Sequence, residues 1–226
     1  AAARGGRVGG RAGVTIKPGA RWGDPGPLAE GAPVVGDDAA AREVLQRRFE
    51  DPGETGLGEI GLVGGDLHRT LGSPRRDAED LRAGRGVRYP VDVGVVELDG
   101  GPGQVFLSHL VAYPRRRIRW WSRRTVAVVN ASYVGRLDLG PRAHPGDGRL
   151  DVTDGRLPLG QRRQGRRRAL TGTHVPHPDL RTRSVSEVEV HAGDDGTLHV
   201  WLDGAHVGTA STIRVRCVPD AVVVVA

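Results

Sequence analysis

From Tyr89 to the C-terminus the chain is written in short, strand-length apolar runs separated by turns. Residues 91–98, 104–112, 125–133 and 150–152 alternate or are rich in β-branched side chains, and further runs follow at 184–191, 197–202, 212–218 and 221–225. Alternation with a period of two puts successive side chains on opposite faces, which is how a half-buried strand reads. Asp195-Gly196 and Asp203-Gly204 are hairpin signals between such runs. Many short strands joined by close turns predict two packed antiparallel sheets, so the expected fold is mainly β (α+β), a two-sheet β-sandwich over residues 89–226.

The breakers agree with this. Gly 35 and Pro 15 in 226 residues leave little room for an all-helical bundle. Aromatic content is 4%, so the core has to be built from Val, Leu and Ala. Upstream the pattern differs. Residues 1–13 are small, basic and aperiodic, and are expected to be disordered. Residues 14–88 read as a small α/β segment. It has a strand at 14–16, a Pro/Gly-rich loop at 19–36, a helix at 39–49 capped by Asp37 or Asp38, and a strand at 60–63. A short helix at 67–71 and a charged loop at 73–88 complete it. The basic segment 158–170 reads as a helix with a solvated face, and no internal repeat is present.

Net charge is +6 and the pI about 10.5, almost all of it from arginine, since Lys17 is the only lysine. A basic surface favours acidic partners such as phospholipid headgroups or nucleotides. Cys217 is the only cysteine, which excludes an intrachain disulfide framework or thiolate metal site and reads as a buried strand residue. No apolar run approaches the length that spans a bilayer, and the N-terminus lacks the apolar stretch of a secretory signal. The chain contains no methionine, so a processed or partial chain is the expectation. The expected location is cytoplasmic, with a peripheral place at the inner membrane surface.

Four constellations carry chemistry. Gly64-Gly65-Asp66 ends a strand and opens a helix, where glycines let the backbone approach a phosphate and an aspartate can hold Mg²⁺ or simply cap the helix. Arg69 follows one turn later. Asp147-Gly148 is a turn that suits a hard divalent ion or merely starts a strand. Residues 115–124 join six arginines, among them Arg115, Arg116 and Arg117, to Trp120 and Trp121. Indoles favour the headgroup level and guanidinium pairs with phosphate, so this loop can dock an anionic membrane or lie as an exposed connection. His174, His177 and Asp179 sit in a proline-rich loop that reads as structural. No Gly-x-Ser-x-Gly elbow is present, and no nucleic-acid fold signature supports a nucleic-acid partner.

The stretch Asn130-Ala-Ser-Tyr-Val-Gly, followed by Leu139-Gly-Pro-Arg-Ala-His-Pro-Gly-Asp-Gly-Arg-Leu-Asp-Val, resembles the accessory half of the diacylglycerol kinase and bacterial lipid kinase family. There Asn-Gly-x-Tyr-x-Gly-Gly leads into Pro-x-Ala-x-Pro-x-Asp-Gly-x-Leu-Asp-Val. Residues 61–72 resemble the family's Leu-Pro-x-Gly-Thr-x-Asn-Asp-Phe-Ala-Arg-x-Leu-Gly, with Asp66 on its aspartate and Arg69 on its arginine. His174 and His177 fall in its Gly-x-His-x-x-His-Pro stretch. The resemblance covers residues 58–226 and implies a β-sandwich accessory domain. It assigns a catalytic candidate at Asp66, phosphate contacts at Gly64, Gly65 and Arg69, and a structural metal at Asp147; Asp203 is a candidate to substitute for the family's base or simply a hairpin Asp-Gly turn.

Two features of the family are missing. No Gly-Gly-Gly-Asp-Gly-Thr phosphate loop stands before residue 60, and Ala205 replaces the glutamate placed as general base. A methyl group cannot take a proton, and such help is commonly worth about 10²–10⁴ in rate. The implied function is therefore a diacylglycerol kinase-like protein that binds a lipid or another acidic ligand, with Mg²⁺ as the implied ion and ATP bound only if a partner chain supplies the nucleotide site. Whether it is an enzyme stays open; an active form would be an ATP-dependent lipid kinase. A non-catalytic membrane-surface or interaction module, and one half of a split lipid kinase, are the alternatives.

Overall fold

The computed structural model of the chain describes residues 22–51, 56–114, 124–175 and 177–226. Its strands are β1 (Asp24–Pro25), β2 (Val34–Val35), β3 (Glu59–Leu62), β4 (Val87–Leu98), β5 (Gln104–Phe106), β6 (His109–Tyr113), β7 (Arg124–Val129), β8 (Tyr133–Val134) and β9 (Leu137–Asp138). They continue with β10 (Leu150–Arg156), β11 (Leu180–Val185), β12 (Glu187–His191), β13 (Leu198–Leu202), β14 (Ala205–Ala210) and β15 (Thr212–Val225). The helices are α1 (Asp38–Glu50), α2 (Gly65–Leu71), α3 (Ala78–Arg82) and α4 (Leu159–Ala169). The expected strand at 14–16 and the arginine–tryptophan loop through residue 123 lie outside the described residues.

Two large sheets pack face to face. One has seven strands along the path β1-β4-β15-β3-β2, with β12 beside β15 and β5 beside β4; the other has six in the order β11-β10-β7-β6-β13-β14. Val96, Val188, Ile213 and Val215 of the first sheet meet Leu110, Val126, Val152 and Val200 of the second in one buried cluster. This is the sandwich that the alternation predicts.

A second apolar layer covers the other face of the seven-stranded sheet. Ala41 and Leu45 of α1 and Leu67 of α2 pack on Val91, Val93 and Val95 of β4 and on Val222 and Val224 of β15. With both faces covered, β4 is buried at every residue from Val91 to Val96, which is why that stretch reads as a nearly continuous apolar run. The α/β segment is joined to the sandwich through hydrogen bonds: β3 runs parallel to the end of β15, with Val223 opposite Glu59 and Val225 opposite Gly61.

Three details differ from the sequence expectation. Residues 212–225 form one strand, not two, because a register shift between Val218 and Val222 absorbs Pro219 and the left-handed Asp220 (φ 48°) as a bulge. The run 104–112 is divided into β5 and β6 at Leu107-Ser108. The charged stretch 73–88 contains α3, capped by Asp77, whose carboxylate accepts the Asp80 N–H at 2.9 Å.

Candidate functional site

Two strand–turn–helix units stand side by side. In the first, Asp37 caps α1 by accepting the Ala40 N–H at 2.8 Å. In the second, Gly64 and Gly65 carry β3 into α2 against the first turn. A Cβ on Gly64 would lie 2.6 Å from the Gly36 carbonyl oxygen, and one on Gly65 (φ +99°) would lie 2.8 Å from the Asp38 carboxylate. Only glycine allows this approach. Asp38 itself accepts the N–H groups of Asp66 at 2.5 Å and Leu67 at 3.3 Å, so the donors at the start of α2 face a carboxylate from the chain itself. Burial pushes the Asp38 carboxyl up to about 7, with the nearby Asp203 charge acting in the same direction.

Asp203 sits in the β13–β14 turn with φ 47° and is 5% exposed. Its carboxylate reaches back to the β5–β6 junction and accepts the N–H groups of Leu107, Ser108 and His109 at 2.8, 2.9 and 2.9 Å. Burial pushes it up to about 6 against those three hydrogen bonds. The Ser108 hydroxyl lies near Asp38, close enough to hold its pKa down, yet outside hydrogen-bond geometry.

Asp66 accepts the Gly135 N–H at 2.8 Å through Oδ2, the oxygen that stands 3.7 Å from His109 Nδ1. Burial lowers the His109 pKa, and Asp66 and Asp38 partly oppose that. Arg69 donates to the Gly135 carbonyl at 3.2 Å and lies 3.7 Å over the Tyr133 ring. Together these contacts tie α2 to the β8–β9 hairpin.

The structure thus gathers Gly64, Gly65, Asp66 and Arg69 around one junction and sets Asp203 behind it. It adds Ser108 and His109, which the sequence reading did not single out, and Asp38, which that reading offered only as a helix cap. For Asp38 the available signal is Gly36-Asp37-Asp38 between a Val-Val strand and a helix. For His109 and Ser108 the placement is made by long-range bonds that leave no local pattern.

From His109 the outward face of β6 continues through Val111 to Tyr113. Here the six-stranded sheet turns away from the sandwich interior, and α4 and the β8–β9 hairpin cover it. Between them is a cavity of about 590 Å³. Val111, Ala127, Thr153 and Gly155 form its floor, and Val134, Leu137, Leu139 and Leu180 its sides. Arg166, Arg168 and Ala169 of α4 roof it, and His174 and His177 close one part of the wall. Tyr113, at its edge, stacks on Trp201 with ring centroids 4.4 Å apart.

Residues 95–226 match the model of the YegS C-terminal NAD kinase β-sandwich-like domain. The chain belongs to that family. Among solved structures it is similar to a diacylglycerol kinase from Bacillus anthracis, at 15% identity and a TM-score of 0.53, over 84% of this chain and 82% of that one. It is also similar to a putative diacylglycerol kinase from the same organism, at 14% identity and a TM-score of 0.54, over 84% and 83%. At these identities the likeness is one of fold. No curated protein sequence matches the chain.

Ala205, where the sequence resemblance puts the family's glutamate, is the first residue of β14, directly after the turn that holds Asp203 and Gly204. Asp147 accepts the Arg149 N–H at 2.9 Å inside its own turn. Beside it the fully buried Asp92 accepts the N–H groups of Gly148 at 2.6 Å and Asp220 at 2.9 Å, and burial pushes it up to about 6. Among the described residues no three His, Cys, Asp or Glu side chains are grouped to hold a metal ion. At the α2 junction Asp66 Oδ2 accepts the Gly135 N–H while Oδ1 accepts no hydrogen bond from the described residues, which fits an ion held through one carboxylate and otherwise by phosphate and water. Arg115, Arg116, Arg117, Trp120 and Trp121 all lie outside the described residues. No described helix is long and apolar enough to cross a membrane.

Proposed function

We propose that this chain is the lipid-binding half of a lipid kinase-like protein, taking the hydrocarbon of its ligand into the cavity under α4. The cavity is the observation that carries this reading. Its volume of about 590 Å³ lies within the range of single-ligand sites, and its floor and sides are apolar with a few polar groups at one part of the wall. Val111 and Tyr113 of its lining share one face of β6 with His109, which stands beside Asp66 at the polar junction where a lipid headgroup would meet phosphate chemistry.

Phosphotransfer by the chain alone has less support. Both Asp203 oxygens are committed to backbone donors, Asp38 fills the N-terminus of α2, and Ala205 offers no base. ATP would need a nucleotide site supplied by a second chain, with Mg²⁺ held at Asp66 Oδ1. The split-kinase reading draws on β2, a two-residue parallel strand at the edge of the seven-stranded sheet, where a further strand could pair.

A membrane face is part of the proposal. Arg163, Arg166, Arg167 and Arg168 of α4 are exposed and make no ion pair among the described residues. Leu170, a large apolar residue 49% exposed, follows them after Ala169. Each such arginine adds roughly 1 kcal/mol of attraction near an anionic leaflet, so α4 can hold the chain peripherally at a phospholipid surface with the cavity beneath it.

Native mass spectrometry of the purified chain, offered lipid extract, tests the reading. One lipid retained per chain is expected, with no ATP turnover on a diacylglycerol panel. A chain that takes up no lipid overturns it.

A further inference from the structure

Along β13, His199 and Trp201 alternate with Leu198, Val200 and Leu202, which are buried in the sandwich core. His199 and Trp201 therefore share the outward face. Regular pairing with β14 would run from His199 opposite Thr209 and Val200 opposite Gly208 to Trp201 opposite Val207. Instead the register shifts, and Trp201 stands opposite His206. Val207 is the extra residue of a β-bulge and packs against the core cluster. Gly208 beside it has a φ of +147°, which suits glycine. Because the side-chain period is two, this one-residue shift turns His206 from the inward face to the outward one, beside His199.

The two imidazoles meet there. His199 Nδ1 and His206 Nε2 are 3.2 Å apart, with ring centroids 5.3 Å apart and planes inclined by 30°. Trp201 props both: its ring is 4.8 Å from His206 and 5.9 Å from His199, and Tyr113 of β6 stacks on it at 4.4 Å. His206 is exposed and His199 half-buried, so solvent reaches the pair. Two imidazole nitrogens on one tetrahedral ion, each about 2.0–2.1 Å from it, stand about 3.3–3.4 Å apart. A square-planar ion would draw them to about 2.8–2.9 Å. The observed spacing is nearer the tetrahedral one. Imidazole suits zinc and its neighbours, whereas Mg²⁺ and Ca²⁺ take oxygen ligands.

We propose that His199 and His206 form a two-imidazole site for a divalent transition metal of the zinc class, with water in its remaining positions. Each ring ligates as the neutral form, its proton on the other nitrogen. Among the described strands β14 pairs with β13 alone, so the ion would clip an edge strand to its sheet. The site uses no residue of the α2 junction and does not depend on the lipid reading.

Calorimetric titration of the full chain with zinc chloride tests it. One ion per chain is expected, with a Kd on the order of 10 μM, from about half the free energy of a closed four-ligand site. At a hundredfold excess over Kd the thermal midpoint should rise by about 5–10 °C. His199→Gln and His206→Gln keep a donor and an acceptor but lose the imidazole. Each should weaken binding by about 10–100-fold or more and remove the rise, with the zinc-free midpoint unchanged. His191→Gln, which alters an exposed histidine beside Glu189 on β12, should leave uptake as it is. Co²⁺ in place of zinc should give the visible absorption of a tetrahedral ion in the wild-type chain and not in the two pair variants. No saturable uptake by the wild-type chain below about 1 mM, or equal uptake by the wild type and both pair variants, overturns the site.

Discussion

Asp38 accepts the backbone N–H of Asp66 at 2.5 Å and so occupies the start of α2 with a carboxylate of the chain itself. Phosphate cradling needs consecutive free N–H groups, and the two at this turn, on Asp66 and Leu67, are taken. The chain alone should therefore bind ATP no tighter than about 1 mM. Calorimetry with Mg²⁺ and ATP measures this directly, and a clear submillimolar isotherm would count against the account.

Three buried carboxyls contribute the larger part of the pH dependence of stability, against His68, His109 and His174, whose burial lowers their pKa and acts in the opposite direction. Asp38 is pushed up to about 7, and Asp203 and Asp92 to about 6, from 3.8, each chiefly by burial. An acid whose folded pKa is raised holds its proton more tightly folded than unfolded. Its favourable contribution is complete below about 3.8 and is lost as pH rises through 6 to 7. The thermal midpoint should be lower at about pH 8 than at about pH 5, and Asp38→Asn should flatten part of that slope. A midpoint that rises over this interval in the wild-type chain contradicts the assignment.

Gly94 faces Phe106 across the β4–β5 pair, and a Cβ there would lie 2.1 Å from the ring. Gly94→Ala should destabilise by about 1–3 kcal/mol through overpacking. Adding Phe106→Leu should return part of that loss, because the two changes share one space. Denaturant unfolding of the single and double variants gives the coupling; strictly additive effects would remove the contact from the argument.

Asn130 is 1% exposed and its amide donates to the Asp92 carbonyl at 2.8 Å and the Leu107 carbonyl at 2.9 Å. It bridges β4 to the β5–β6 junction from the end of β7. Asn130→Ala should cost about 2–3 kcal/mol, since two buried carbonyls lose their donor. An unfolding free energy within error of wild type would show that the bridge is dispensable.

The sandwich was legible because its strands carry their pattern locally: alternation in β13, and the two-sided apolar run of β4. The Asp37 cap and the Gly64-Gly65 turn were legible for the same reason. What the sequence hid is long-range. The break between β5 and β6 is fixed by Asp203, about a hundred residues away. The burial of Leu81 in α3, a single apolar residue among charges, has no period to reveal it. The cavity is lined by outward-facing positions such as Ala127, Thr153 and Gly155, which alternation alone assigns to solvent. Its roof, α4, reads as a solvated arginine helix, because the cavity lies under the smaller side of a chain segment with almost no apolar face.

The occupancy of that cavity tests the account most directly. Titrating a long-chain monoacylglycerol into the wild-type chain and into Thr153→Trp, whose indole would fill the floor between β7 and β10, separates binding in the cavity from adsorption at the surface. The account predicts saturable one-to-one uptake by the wild-type chain and its loss in a still-folded Thr153→Trp. Equal uptake by both chains would contradict it.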